Sequence, residues 1–400
     1  MAVRESGTQE AVQRGIPDRV LMSIGFLSFF DRFATPPMLV VLADRTGLSL
    51  ADAVGLVASY SLLYALGQPV WGFISDRFGR VTVLRTALAG LAVAAVASTL
   101  FSTHLALLVA RSAAGLMAGC LYPTLLTILG DTRTGVAKAR GLSELQVYSA
   151  LGTTAATLAA GSIAAFTDWR VVFGLPALGC VALLFLLRRA HDGAPHLRGP
   201  VDFRAAFSGS ALGVYGVAVL EGAVLMGILT YFVPALQHAD VPIALAGVLA
   251  AGYGIGVIAG ARLMRHLVPR FSRTALMGLG GTILLAGYAA SAVAQTPVAI
   301  TATAVLVGAS NAVLHSSVQG WATEVAPAAR ATAVALFACA LFLGSSVGTF
   351  LTAGLADAGR YGVIFVLGLG ATAVLIAVVT VGHAAWERRR AQEGTSEPRD

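Results

Sequence analysis

Charged side chains are scarce in this sequence. Asp, Glu, Lys and Arg make up 12% of its 400 residues, whereas soluble globular domains carry about 25%. Apolar side chains make up 57%. Because a soluble surface cannot be built from so few charges, the composition excludes an ordinary water-soluble protein and predicts one that lies in a lipid bilayer. The net charge of +7 is then a signal of membrane topology and lipid headgroups, and no nucleic acid is expected as a partner.

Cysteine is scarcer still. The three cysteines, Cys120, Cys180 and Cys339, lie far apart in apolar segments and form no C-x-x-C pair. The sequence therefore predicts no disulfide, no metal site and no cofactor. The polar residues 1–19 also lack the basic, apolar and small-residue order of a cleaved signal peptide, so we expect the first apolar segment to stay in the mature protein.

Long polar stretches are nearly missing, and apolar runs long enough to span a bilayer, about 17 to 25 residues each, follow one another along the chain. We predict an all-α membrane protein with twelve transmembrane helices. Their predicted ranges are 20–43, 53–75, 82–101, 105–129, 141–165, 170–188, 210–236, 243–264, 274–294, 297–319, 331–356 and 361–383.

One polar stretch in the interior divides the twelve segments into two groups of six. A shift of 193 residues places Phe78-Gly79-Arg80 on Phe271-Ser272-Arg273 and Gly115 on Gly308, which is expected when two parallel halves share one fold. The predicted parts are a cytoplasmic N-terminal segment 1–19, a six-helix bundle 20–188, a cytoplasmic linker 189–209, a second six-helix bundle 210–383 and a cytoplasmic tail 384–400.

Lysine and arginine are unevenly distributed between the predicted loops. Of the 27 such residues, Arg45, Arg170 and Arg360 lie on one side of the membrane, Arg32 and Arg111 lie inside helices, and all others lie on the opposite side. Cytoplasmic loops carry the excess of these residues. The sequence therefore predicts an integral protein of the bacterial cytoplasmic (inner) membrane with both termini in the cytoplasm.

The connection between the second and third predicted helices carries an ordered set of glycines and charges. In the segment GQPVWGFISDRFGRVTVLR, a charged loop from Asp76 to Arg80 is predicted, and the candidate gating residues are Gly72, Asp76, Arg77, Gly79 and Arg80. A carboxylate near a helix N-terminus and an arginine near a C-terminus each meet a favourable dipole. Such a loop can hold helix ends together in one conformation and release them in another. The alternative is a polar turn that only keeps positive charge in the cytoplasm.

The order G-x-x-x-D-R-x-G-R from Gly72 to Arg80 resembles a signature of the major facilitator superfamily, and the whole chain resembles its twelve-helix drug:proton antiporter branch. Leu107 to Gly115 is similar to that branch's L-x-x-x-R-x-x-x-G motif. The arginine of this motif is linked to proton coupling, a role that the resemblance assigns to Arg111. The helix-five G-P-x-x-G-G signature is reduced to Gly152 and Gly161. The resemblance implies two pseudo-symmetric six-helix bundles that work by alternating access.

Five acidic or basic residues lie more than one turn from either end of a predicted helix: Asp31, Arg32, Arg111, Glu221 and His315. A charge at the centre of a membrane helix costs at least about 2.5 kcal/mol, so such residues usually face a cavity. Since adjacent residues on a helix point about 100° apart, Asp31 and Arg32 do not simply neutralise each other. We expect Asp31 or Glu221 to lie within reach of Arg111, so that this contact controls proton binding. The alternative is a permanent Asp31–Arg111 ion pair that locks helices one and four together.

The predicted substrate-cavity residues are Arg32, Glu221, Tyr231, His315 and Gln319. A glutamate among apolar walls attracts a proton or a cationic substrate; alternatively, Glu221 lies near a helix end and simply reaches water. His315 also has two interpretations. It is either a neutral imidazole satisfied by a serine or a backbone carbonyl, or a group that titrates near neutral pH or contacts the ligand.

These features together predict a proton-coupled exporter of a small amphipathic or cationic compound, which acts as a monomer in the lipid bilayer. Alternatives on the same fold are a lysolipid, sphingolipid-type or sugar exporter, and a further alternative is a non-transporting sensor or scaffold. An enzyme is not expected. The G-x-S-x-G match from Gly344 to Gly348 lies within a predicted membrane helix, whereas a serine hydrolase needs this motif between a strand and a helix.

Overall fold

The protein is a bundle of membrane-length helices. This computed structural model describes residues 16–191 and 204–395, and these residues contain twelve helices long and apolar enough to cross a membrane, which confirms the predicted number. Most of the predicted linker lies outside the described residues. We number the helices α1 (Asp18–Thr46), α2 (Leu50–Ser75), α3 (Arg80–Leu100), α4 (His104–Thr132), α5 (Val136–Phe166), α6 (Trp169–Leu187), α7 (Gly209–His238), α8 (Ile243–Leu267), α9 (Arg273–Val293), α10 (Pro297–Ala322), α11 (Thr332–Asp357) and α12 (Tyr361–Gln392).

Helices α1 and α7, which occupy equivalent places in the two halves, are both irregular near mid-membrane. In α1 the two prolines of the 3₁₀ turn Pro36–Met38 interrupt the α-helix, because proline donates no backbone hydrogen bond and its ring clashes with the preceding turn. In α7 a π-helical segment, Ala223–Gly227, is followed by a 3₁₀ turn, Ile228–Tyr231. Irregular backbone at membrane depth is tolerated where it lines a cavity or is covered by protein.

Glycines allow the helices of each half to pack backbone against backbone. Gly115 of α4 lies against the backbone of Tyr60 in α2, and Gly308 of α10 lies against the backbone of Tyr253 in α8. In both places a Cβ atom would collide with a tyrosine carbonyl oxygen. Gly308 and Tyr253 lie 193 residues after Gly115 and Tyr60, respectively. The two halves therefore repeat one packing arrangement, as small-residue contacts between membrane helices allow.

The bundle has two chemically different ends. The Arg-rich end holds Arg80, Arg133, Arg188 and Arg273, and the opposite end holds Arg45, Arg170 and Arg360. Toward the opposite end the halves share one apolar core, in which Leu39, Val54, Tyr231 and Leu236 take part. Nearer the Arg-rich end the first half has a core of its own, which includes Leu84, Leu121, Leu125 and Leu187.

Within the described residues, two hydrogen bonds join the halves directly. The Ala51 backbone N–H donates to Asp357 Oδ1 at 3.2 Å, at the opposite end. The Ser346 hydroxyl donates to the Ala58 carbonyl at 2.7 Å, closer to mid-membrane. The helices α2 and α11 are thus held together along the half of the bundle that lies away from the Arg-rich end.

Candidate functional site

A cavity lies at mid-membrane between the two halves. Its empty volume is about 620 Å³, a figure that includes the open space at its mouth. The wall is apolar with scattered hydroxyl groups and is formed by α1, α2, α5, α7, α8 and α11. Its lining residues are Arg32, Phe33, Pro36, Pro37, Val57, Ser61, Thr153, Thr157, Met226, Leu229, Thr230, Val233, Ala250, Tyr253 and Ser345.

Arg32 is the one charged side chain among the described residues that line this cavity. Its guanidinium carbon lies 3.7 Å from the ring centroid of Phe342 in α11 and 4.6 Å from that of Tyr64 in α2. These two rings contact each other edge to face across the halves, with centroids 4.7 Å apart. Tyr64 and Phe342 each lie about one turn closer to the Arg-rich end than the cavity residues of their helices. Together with Arg32 they form a cluster of contacts between the halves on that side of the cavity.

The Asp31 carboxylate is fully paired within the first half. Arg111 Nη1 donates to Asp31 Oδ1 at 3.0 Å, and Nη2 donates to the Asp31 backbone oxygen at 3.2 Å. The Tyr60 hydroxyl donates to Asp31 Oδ2 at 2.8 Å, and the guanidinium lies near the rings of Tyr60 and Phe173. Both charged side chains are buried. Of the two acids expected near Arg111, the structure places Asp31 there.

Glu221 lies in the second half and faces His315. Glu221 Oε1 and His315 Nδ1 are 3.2 Å apart, and 19% of the His315 side chain is exposed, whereas that of Glu221 is fully buried. Among the described residues, Glu221 Oε2 has no hydrogen-bond partner. Glu221 precedes Met226, the first α7 residue on the cavity wall, by more than one helical turn. The pair therefore lies on the Arg-rich side of the cavity.

Two other residues predicted for the substrate cavity occupy different places. Tyr231 is buried, donates its hydroxyl to the Thr349 carbonyl and accepts from Thr352 Oγ1 at 3.0 Å, so that it ties α7 to α11. Gln319 is exposed in the last turn of α10, at the Arg-rich end. Arg32 is thus the one member of the predicted set that the described cavity wall includes.

The predicted gating loop is shorter than the sequence indicates. The α-helix that contains the α2 span runs from Leu50 to Phe78, three residues beyond the span, and α3 begins at Arg80. Only Gly79 separates them, with φ of 92°, a conformation that glycine adopts without the strain of a Cβ atom. Arg77 is exposed beside the ring of Phe78, and the backbone of Gly72 is helical. The side chain of Asp76 lies outside the part of the structure that is described.

Arg80 reaches from the start of α3 to the end of α4, where it forms an ion pair with Asp131. In the second half, Arg273 at the start of α9 donates to Glu324 Oε1 at 2.9 Å, just beyond α10. Both members of the second pair lie 193 residues after those of the first. The hydrogen bond from Arg273 holds the pKa of Glu324 below its usual value. Asp131 and Glu324 were not predicted, although the shift that relates Arg80 to Arg273 also relates these two acids.

Comparison with known proteins agrees with this architecture. A family model described as Major Facilitator Superfamily matches residues 21–242 and 213–399. The nucleoside transporter NupG has a crystal structure similar to this one, with a TM-score of 0.75 and 14% sequence identity over 92% of this chain and 98% of NupG. At that identity the likeness shows the fold alone.

Two curated relatives match shorter parts of the chain. The inner membrane transport protein YnfM of Escherichia coli (strain K12) is 27% identical over 183 residues, which cover 44% of this chain and 43% of YnfM. The quinolone resistance protein NorB of Staphylococcus aureus (strain JH9) is 25% identical over 136 residues, 34% of this chain and 29% of NorB. The chain thus spans less than half the length of each of these relatives. Because the family model covers almost all of it, the chain belongs to the major facilitator superfamily and is an integral membrane transporter.

Proposed function

We propose that this transporter exports a small amphipathic compound in exchange for protons, by alternating access of the mid-membrane cavity between its two halves. The observation that carries the proposal is the Glu221–His315 pair. A buried carboxylate with one unpartnered oxygen is costly when charged, unless a cation lies beside it. The relatives named as transport and quinolone resistance proteins support export, since resistance to a compound is one result of its removal.

The pair is suited to carry one proton at a time. In this proposal a proton held by the pair offsets the cost of the buried carboxylate, either on Glu221 itself or on His315 as its ion-pair partner. In either state the pair holds at least one proton while Glu221 is buried. Release of the proton requires that the Glu221 carboxylate reaches water. A change in the conformation of α7 and α10 would expose the carboxylate in this way. Proton binding and conformation are thereby coupled.

We assign Asp31 and Arg111 a supporting role in this scheme. Both carboxylate oxygens of Asp31 already accept hydrogen bonds, and Asp31 can release Arg111 only by breaking two hydrogen bonds in a buried site. The proposal therefore places proton exchange at Glu221 and His315 and leaves Asp31 and Arg111 to fix α1 against α4. The excess of Lys and Arg at the Arg-rich end supports an orientation in which that end and both termini are cytoplasmic, in a bacterial inner membrane.

The test is proton movement in everted membrane vesicles that respiration has made acidic inside. Ethidium, dansylglycine, glucose and lysophosphatidylglycerol are added in turn, and a pH-sensitive dye reports loss of the gradient. We expect one class of compound to dissipate the gradient with wild-type protein and not with Glu221→Gln. Glu144→Gln, which removes an exposed acid paired with Arg140 at the Arg-rich end, serves as the matched control.

Two results would contradict the proposal. Dissipation that is equal in wild type and in Glu221→Gln would remove Glu221 from coupling. No response to any compound, with the protein shown to be folded and inserted, would argue against a proton-coupled exporter of broad specificity. A response to lysophosphatidylglycerol alone would instead favour the lipid exporter among the alternatives.

A further inference from the structure

Arg32 is a buried cation without an acidic partner. Only 6% of the residue is exposed, and among the described residues no carboxylate lies within ion-pair distance of its guanidinium. Its Nη1 atom is buried with no hydrogen-bond partner. A native structure rarely leaves such a group unsatisfied, so the missing partner is itself an observation that needs an explanation.

The neighbouring acid cannot supply this partner. Asp31 points to a different side of α1, where Arg111 and Tyr60 occupy both of its carboxylate oxygens. The nearest groups to the Arg32 guanidinium are instead the faces of Tyr64 and Phe342. Aromatic faces attract a cation and orient a flat guanidinium, but they accept no conventional hydrogen bonds in its plane. The Tyr64 hydroxyl can accept one hydrogen bond from the guanidinium, whereas Nη1 has no partner among the described residues.

The surroundings of Arg32 have the properties of a ligand site. The guanidinium lies on the wall of the mid-membrane cavity, together with hydroxyl groups from Ser61, Thr230 and Ser345, each of which can donate to an oxygen atom. The rest of the wall is mainly apolar. Arginine presents its donors in a planar fork that matches carboxylate, sulfonate or phosphate groups. A ligand oxyanion would thus satisfy the buried cation, while the apolar walls hold the remainder of the ligand.

We propose that the transported compound is an amphipathic organic anion, whose acidic group binds Arg32 and whose apolar part fills the cavity between α1, α5, α7 and α8. This inference rests on the proposed function for the statement that the bound anion is moved across the membrane. It replaces the cationic substrate expected from the sequence with an anionic one, because the buried acid Glu221 lies outside the described cavity wall and the arginine lies on it.

Binding can be measured without any gradient. Wild-type protein in phosphatidylcholine nanodiscs is titrated at pH 7.5 with dansylglycine, dansylamide and dansylcadaverine, which carry the same fluorophore with a negative, neutral and positive charge. We expect dansylglycine to bind at least tenfold more tightly than dansylcadaverine. In Arg32→Gln this preference is expected to disappear, and in Arg32→Lys to be retained in part. Arg170→Gln, which removes an exposed arginine at the opposite end, is the matched control for net charge.

Several outcomes would overturn the inference: equal or tighter binding of dansylcadaverine to wild type, no binding of dansylglycine, or an unchanged preference in a folded Arg32→Gln variant. If Arg32→Gln does not fold, a competition experiment on the wild-type protein alone tests the preference for anions. Unlabelled benzoate should displace dansylglycine at concentrations tenfold below those of benzylamine, and equal displacement by both contradicts the inference. Anion binding without substrate-driven proton movement would support the Arg32 site and contradict the proposed proton coupling. Proton-coupled transport of cations alone would support the coupling and contradict the Arg32 site.

Discussion

The two halves of this transporter place a buried ionisable pair between equivalent helices, but the pairs differ in how well their carboxylate oxygens are hydrogen-bonded. In the first half, α1 and α4 are joined by Asp31 and Arg111, and Tyr60 occupies the remaining carboxylate oxygen. In the second half, α7 and α10 are joined by Glu221 and His315, and one carboxylate oxygen has no partner within the described structure. The first arrangement is typical of a lock, and the second of a group that exchanges a proton.

Other features repeat faithfully between the halves. The contact of Gly115 with Tyr60 returns as Gly308 with Tyr253, and the ion pair of Arg80 with Asp131 returns as Arg273 with Glu324, each time after 193 residues. The buried pairs do not follow this shift, since Asp31 corresponds to Val224 and Arg111 to Ala304. The scaffold is thus symmetric, and the ionisable chemistry inside it is not. This comparison leads to four predictions.

The largest effect is expected in the first half. Asp31→Asn leaves the Arg111 guanidinium buried without its counter-ion, and breaking one partner of a buried ion pair typically costs about 3–5 kcal/mol of folding stability. We expect a clear fall in the thermal unfolding temperature of the purified protein. The double variant Asp31→Asn/Arg111→Gln, which removes both charges, should recover most of the loss. A single variant as stable as wild type would contradict the role of this pair as a lock.

The next effect tests the symmetry of the scaffold. In Gly115→Ala and in Gly308→Ala the new methyl group collides with a carbonyl oxygen of the facing helix, so the helices have to separate. Overpacking of this kind costs about 1–3 kcal/mol, and we expect similar losses of thermal stability in the two halves. Gly216→Ala in α7, where no atom lies near the added Cβ, is the control. A large difference between the first two variants would show that the repeat in sequence is not a repeat in packing strength.

A smaller effect on stability is expected at Glu221, although the proposed function gives this residue a large effect on coupling. Glutamine has almost the same shape and can still form a hydrogen bond with His315, so Glu221→Gln should change folding stability by less than about 1 kcal/mol. Thermal unfolding of this variant beside Asp31→Asn measures the contrast between the halves directly. If Glu221→Gln were the less stable of the two, the assignment of lock and proton-binding pair would have to be exchanged.

The helices and their approximate ends could be predicted from the sequence, because long apolar runs dominate the signal at membrane length. The predicted loop from Asp76 to Arg80 was too long, since the local polarity that suggests a loop is also tolerated in a helix that emerges from the bilayer. The shift of 193 residues that relates Arg80 to Arg273 also relates Asp131 to Glu324. Applying this shift to the whole chain could therefore have identified Asp131 as the partner of Arg80. The symmetry between halves was therefore more informative than any single motif.

The pairing of Glu221 with His315 could not be predicted in the same way. The two residues lie 94 positions apart, and whether they meet depends on the relative depth of α7 and α10, which the apolar pattern does not define. The sequence also did not indicate that Arg32 lacks an acidic partner. Its sequence neighbour Asp31 is an acid, and only the rotation of α1 shows that this acid is already occupied by Arg111.

The smallest predicted effect concerns the ion pair at the Arg-rich end of the second half. Because Arg273 lowers the pKa of Glu324 in the folded protein, the pair contributes stability above the unfolded-state pKa of glutamate, near 4.5. That contribution is lost as the pH falls through the lower, folded-state value. Both side chains are about one-third exposed, so solvent screening should limit the contribution to less than about 1 kcal/mol. We expect Glu324→Gln to lower the thermal unfolding temperature slightly at pH 7. At the lowest pH at which both proteins remain folded, the variant should be indistinguishable from wild type. Glu144→Gln is the control.

A stability difference between Glu324→Gln and wild type that grows on acidification would contradict this pH dependence. A loss of stability at pH 7 well above about 1 kcal/mol would show that the pair holds α9 against α10 more strongly than a partly exposed ion pair can.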